Sequence, residues 1–174
     1  LQNIGGEKLF IVYAGAYSGN PASMFGHTFL RINAGEPHSG GDKKLDLLDQ
    51  GISFAASVGP DENPLVFYWF GVTGGYPGAF TVVPYYAKVS EYNHAEARDL
   101  WEYDLTLNEE ETLRLIRHLW ELETNTHFDY YFFDENCSFQ LLTLLEVARP
   151  EWTMAPSKAW VIPGETVKIV ARTP

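Results

Sequence analysis

A single cysteine, Cys137, in a chain of 174 residues sets the strongest limit on how the chain holds itself together. One thiol builds no internal disulfide framework and no four-cysteine zinc site, so neither a stapled small fold nor a metal-nucleated one is open to it. Stability must come from a hydrophobic core. With 45% hydrophobic and 15% aromatic residues, the chain has apolar surface for one such core, and its length suits a single domain over residues 1–174. Twelve Lys and Arg against 23 Asp and Glu give a formal charge of −11, which repels nucleic acid backbones and offers no polybasic patch to anionic lipid. A nucleic acid partner is therefore not expected. No apolar run approaches the ~20 residues that span a bilayer, and the start Leu1-Gln2-Asn3-Ile4-Gly5-Gly6 lacks the build of a signal sequence, so the segment reads as soluble.

Patterning along the chain gives a mixture of strands and helices. Leu9 to Ala14 is β-branched and aromatic and reads as a buried strand ending in the loop composition of Gly15 to Pro21. His27 opens the next strand, with His27, Phe29 and Arg31 on one face and Thr28, Leu30 and Ile32 on the other. Residues Ala34 to Lys44 read as an exposed loop leading to a strand over Leu45 to Phe54, antiparallel to the one before. The apolar run Leu65 to Phe70 passes into Gly71-Val72-Thr73-Gly74-Gly75, whose glycines predict turns rather than an element. Strands are expected at Ala79 to Val83 and at Trp101 to Leu107, the latter alternating as a half-buried strand, with a short helix over Asn93 to Leu100. Asn108 and Glu111 form a capping box for a helix whose inner face is Leu115, Ile116, Leu119, Trp120 and Leu122, ending near Glu123 to Asn125. A last helix starts at Asn136-Cys137 and stops before Pro150, and Thr166 to Val170 could add an edge strand.

The chemistry centres on Cys137. Asn136 is a strong N-cap type, which places Cys137 in the first helical turn, where free N–H groups and the helix dipole favour a thiolate. The competing reading is a buried, inert cysteine. A thiol nucleophile needs a base, and of five histidines His27 is the candidate because it opens a strand after a glycine with small residues around it. His38 and His94 lie in polar segments, His118 on the charged face of the capped helix, and His127 just before the aromatic run. Asn136 is either a cap alone or also a donor to an oxyanion, beside the Cys137 backbone N–H. No two histidines sit at ligand spacing, and Asp134, Glu135 and Cys137 form no closed set, so neither metal nor cofactor is expected.

The ordered blocks Ser23 to Arg31, Gly74 to Gly78, Pro84-Tyr85-Tyr86, Arg98 to Tyr103 and Phe128 to Cys137 resemble the Lnb N-terminal periplasmic domain family, over about Leu9 to Ile169. More broadly, the histidine-before-cysteine order resembles the permuted papain-like thiol enzymes. The resemblance implies an α+β fold, a mostly antiparallel sheet packed against helices in a permuted papain-like arrangement, and a periplasmic location. It implies Cys137 as nucleophile, His27 as general base and a polar residue on the following strand orienting the imidazole. Asp49 and Ser53 share a face there and either would serve, whereas Gln50 points oppositely.

By that resemblance the reaction is a lipoprotein N-acyltransfer: a phospholipid is the acyl donor, a cysteine thioester the intermediate, and the N-terminal amine of a diacylglyceryl lipoprotein, or another amine, the acceptor. Contact with the membrane surface is expected through parts of a parent protein outside this chain. Tyr76, Tyr85, Tyr86, Trp69, Phe70 and Tyr130 to Phe133 could line an acyl groove or simply form core. The alternatives are a periplasmic cysteine amidase or peptidase acting on cell-wall peptides, and a non-catalytic module binding lipid or protein.

Overall fold

The computed structural model describes residues 8–18, 23–33, 49–59, 62–155 and 161–173. Six strands form one antiparallel sheet: β1 (Leu9–Ala14), β2 (His27–Ile32), β3 (Gln50–Ala56), β4 (Tyr76–Pro84), β5 (Leu100–Leu105) and β6 (Phe128–Tyr130), in the spatial order β5-β1-β2-β3-β4-β6. Five α-helices accompany it among the described residues: α1 (Pro64–Thr73), α2 (Tyr85–Val89), α3 (Glu109–Asn125), α4 (Cys137–Ala148) and α5 (Pro163–Arg172), with a π-helical turn over Ser90–Ala95. The architecture is α+β, as the sequence predicts.

The register divides β2 between two cores. Leu9 and Ile11 pair with Ile32 and Leu30, and Leu30 pairs with Ile52, so these side chains share the face that meets α3 and α4. That face holds the large core, with Phe54, Phe80, Leu115, Leu119, Leu141 and Leu145 buried in it. The opposite face carries Val12, Ala14 and Phe29 under Tyr85 and Tyr92, a smaller core capped by α2 and the π-helical turn. His27 shares this second face, while its neighbour Thr28 shares the first.

Helix α3 begins with the capping box the sequence predicts: Glu111 N donates to Asn108 Oδ1 at 3.0 Å and Asn108 N to Glu111 Oε2 at 2.8 Å. Helix α4 buries Leu141, Leu142, Leu144 and Leu145, each worth roughly 1.5–3 kcal/mol of apolar transfer. That burial fixes Cys137 at the end of the helix nearest β2.

Five expectations need correction, one being Trp120, which is exposed and not on the inner face of α3. Leu65 to Phe70 lies in α1, begun by Asn63, whose side chain accepts from Leu65 N, with Pro64 in the first turn and Gly74 at φ 76 closing it. Thr166 to Val170 lies in α5 rather than a strand, because Pro163 and Glu165 supply a helix start. The helical turn expected at Asn93 to Leu100 falls earlier, and Leu100 already belongs to β5. That strand is the sheet edge, so Trp101 and Tyr103 are exposed and Leu105 alone is buried. The Ala34 to Lys44 loop, the start of the third strand at Leu45 to Leu48, His38 and the His94 side chain lie outside the described residues.

Candidate functional site

Gly26 sets the position from which β2 starts. Its φ of +90 belongs to the left-handed region, and a Cβ there would fall 2.6 Å from the Tyr13 ring and 2.8 Å from the Ala14 carbonyl, so only glycine fits before His27. Strand alternation then sends His27 and Thr28 to opposite faces. The His27 Nε2 lies 2.9 Å from Ser53 Oγ, the two residues sharing one face of the sheet. Of the two candidate orienting residues, Ser53 meets the imidazole. Asp49 instead stands 3.5 Å from the Arg31 Nε, beside Glu102, whose carboxylate is 3.1 Å from Arg31 Nη1.

Thr28 reaches the cysteine. Its Oγ1 donates to Cys137 Sγ at 3.9 Å and lies 3.5 Å from Ser138 Oγ. Backbone and side-chain groups of Thr28 and Ser138 favour the charged form of the sulfur. Burial nevertheless pushes the thiol above its ordinary value, outweighing those donors. This corrects the expectation of a thiolate at the helix start: the dipole of a short helix end cannot offset full desolvation.

The imidazole is neutral for a parallel reason. Desolvation, followed by the charges of Lys88 and Arg98, pushes His27 down to about 3. Lys88 and Arg98 both lie over the Tyr92 ring, at 5.4 and 4.7 Å, and Tyr92 sits 6.2 Å from the His27 ring, centre to centre. Burial suppresses the ionisation of Tyr92. Among the described residues no hydrogen bond joins His27 to Cys137. The resting pair is thus a protonated thiol at the start of α4, against Thr28, and an uncharged imidazole at the adjacent position of β2.

Asn136 caps α4 and ties three segments together. Its Oδ1 accepts from Ser138 N at 2.9 Å and Phe139 N at 3.3 Å, while Nδ2 donates to Phe132 O at 3.1 Å and Val161 O at 2.8 Å. The amide is fully occupied by these bonds. Burial suppresses the ionisation of the Tyr130 hydroxyl. Of the other histidines, His118 lies 3.7 Å from Glu121 on the outer side of α3 and His127 is exposed.

The family model of the Lnb N-terminal periplasmic domain matches residues 1–173. The chain belongs to that family. It is accordingly a periplasmic domain, and the conclusion rests on a match over nearly the whole chain. No curated protein and no solved structure matches it.

Thr28, Ser138 and Tyr92 are the site neighbours that sequence reasoning missed. Two of them carried a signal: Thr28 adjoins His27 on the helix-facing side of β2, and Ser138 follows Cys137 in the first helical turn. Tyr92 had none, because only the fold brings it to the site. Among the described residues no group of three His, Cys, Asp or Glu stands together as a metal site, and no helix is long and apolar enough to cross a membrane.

Proposed function

We propose that this Lnb-family domain is a thiol acyltransferase in which Cys137 carries the acyl group. The observation that bears most weight is the polar nest of Thr28 and Ser138 around one sulfur at a helix start, one residue along β2 from a histidine held by Ser53. A merely structural cysteine in an apolar core needs no hydroxyl donor at its sulfur.

With Nε2–H donated to Ser53 Oγ, the imidazole keeps its lone pair on Nδ1. Substrate entry brings that nitrogen to the thiol, and Nδ1 takes the proton as sulfur attacks the ester carbonyl of a phospholipid. The carbonyl oxygen becomes an oxyanion, for which the Cys137 N–H at the start of α4 is the donor. Collapse breaks the ester C–O bond, His27 returns the proton to the leaving alkoxide, and a lysophospholipid departs. An amine then attacks the thioester, an amide forms, and the amine's proton passes through His27 back to sulfur. Asn136 holds the helix start and the Phe132 and Val161 backbones in register and acts as a positioning residue. By family resemblance the amine is the N-terminus of a diacylglyceryl lipoprotein. The permuted papain-like arrangement is part of this reading.

A second reading, a non-catalytic lipid- or protein-binding module, draws support from the buried thiol and the low basicity of His27. Incubation with phospholipid and a diacylglyceryl peptide separates the readings. The acyltransferase produces the N-acyl peptide and lysophospholipid, and Cys137→Ser and His27→Ala abolish both products while leaving the fold intact. Cleavage of cell-wall stem peptides instead marks an amidase, and no product with either substrate marks the module.

A further inference from the structure

Helix α1 is apolar on nearly every side and buries almost none of itself. It reads Pro64-Leu-Val-Phe-Tyr-Trp-Phe-Gly-Val-Thr73 with no charged side chain, and only Phe67 and Gly71 turn inward. Phe67 packs on Tyr76 and Phe132, and Gly71 is so close to the Phe132 ring that a Cβ would fall 2.2 Å from it. Leu65 is 81% exposed, Trp69 66% and Tyr68 54%. At 100° per residue the exposed positions cover more than half of the helix circumference.

We propose that α1 is a docking helix for the surface of a zwitterionic phospholipid bilayer. Three observations select lipid as the occupant. The first is shape, since a protein partner covers one stripe of a helix whereas α1 presents a convex ridge open on both flanks, which only a fluid phase covers throughout. The second is charge: α1 carries no charged side chain along its length, while the chain's charge of −11 disfavours an anionic surface. The third is composition, because Trp69 and Tyr68 beside Leu65, Val66 and Phe70 are the residue types that settle at the boundary of headgroup and acyl chain. Ten residues span about 15 Å, too short to cross the bilayer and long enough to lie in its interface.

The ridge adjoins the candidate site. Phe132 N donates to Gly71 O at 2.8 Å, Gly74 packs on Tyr131, and Phe133 meets the Phe25 ring at 6.1 Å. Met24 and Phe25, both exposed, precede His27, and Tyr131 to Phe133 precede Cys137. The docking helix would therefore set both site-bearing segments against the lipid. The inference stands on α1 itself and holds whether or not Cys137 accepts an acyl group.

Co-sedimentation with phosphatidylcholine vesicles tests it, alongside tryptophan emission in the presence of dibrominated phosphatidylcholine, the share of Trp69 being what Trp69→Phe removes. The wild-type chain partitions onto the vesicles with little dependence on salt, and its emission is quenched. Addition of phosphatidylglycerol weakens binding at low salt. Leu65→Ser with Trp69→Ser lowers the partition coefficient at least about tenfold, Trp120→Ser on the exposed side of α3 leaves it unchanged, and Cys137→Ser binds as wild type. Wild-type protein left in the supernatant overturns the proposal. So does equal binding by the double variant, or self-association that the double variant abolishes without any vesicle binding, which would make a second copy the occupant.

Discussion

Hydrogen-bond donors and burial pull the Cys137 sulfur in opposite directions, and burial wins at rest. Alkylation by iodoacetamide is therefore slow at pH 7 and rises through pH 9 without an earlier plateau; a plateau below pH 7 would show a thiolate already present. Thr28→Val removes one hydroxyl donor, worth about 1 kcal/mol, and lowers the alkylation rate at pH 8 about fivefold. His27 binds no proton until far below the pH at which an unfolded histidine does, so acid favours the unfolded chain between pH 6.5 and about 3. Between pH 6.5 and 5 the wild type loses roughly 2 kcal/mol more stability than His27→Gln, measured by urea unfolding at each pH. Equal losses would mean that the imidazole is solvated. None of these protonation states was legible in the sequence. A helix start and an adjacent cap argue for a thiolate, and only the depth of burial reverses the sign.

Elements were legible where periodicity and caps agreed. Helix α4 combines an Asn cap, leucines on successive turns and Pro150 beyond its end, and α3 combines a capping box with an apolar stripe. Helix α1 has caps without periodicity: its apolar residues go all round, so Asn63-Pro64 and Gly74 were its only signals, and the glycines pointed to turns. Gly71 and Gly74 are glycines because α1 lies against Phe132 and Tyr131. Gly71→Ala must displace the Phe132 ring and costs about 1–3 kcal/mol; a loss under about 0.5 kcal/mol by thermal unfolding would show that this contact is loose. Asn136→Ala removes the cap of α4 and frees the Phe132 carbonyl and the buried Val161 carbonyl, with an expected loss of about 2–4 kcal/mol.

For the whole molecule, the faces of β2 matter most. Strand alternation showed that His27 and Thr28 point apart and that Asp49 and Ser53 share a face, yet the choice between them rested on how the strands are placed in the assembled sheet. That placement sends Ser53 to His27 and leaves Asp49 to Arg31 and Glu102. The sheet then carries the base on one face, and α4 brings the sulfur to the neighbouring residue from the other. The proposed chemistry needs the two to meet only when substrate arrives, and the direct test is to trap what forms. Intact-mass spectrometry after incubation with phospholipid, without an amine acceptor, should show one fatty acyl group less water added to the wild type, located on Cys137 and removed by hydroxylamine. A folded protein that gains no such mass, or gains it equally in Cys137→Ser, would contradict the account.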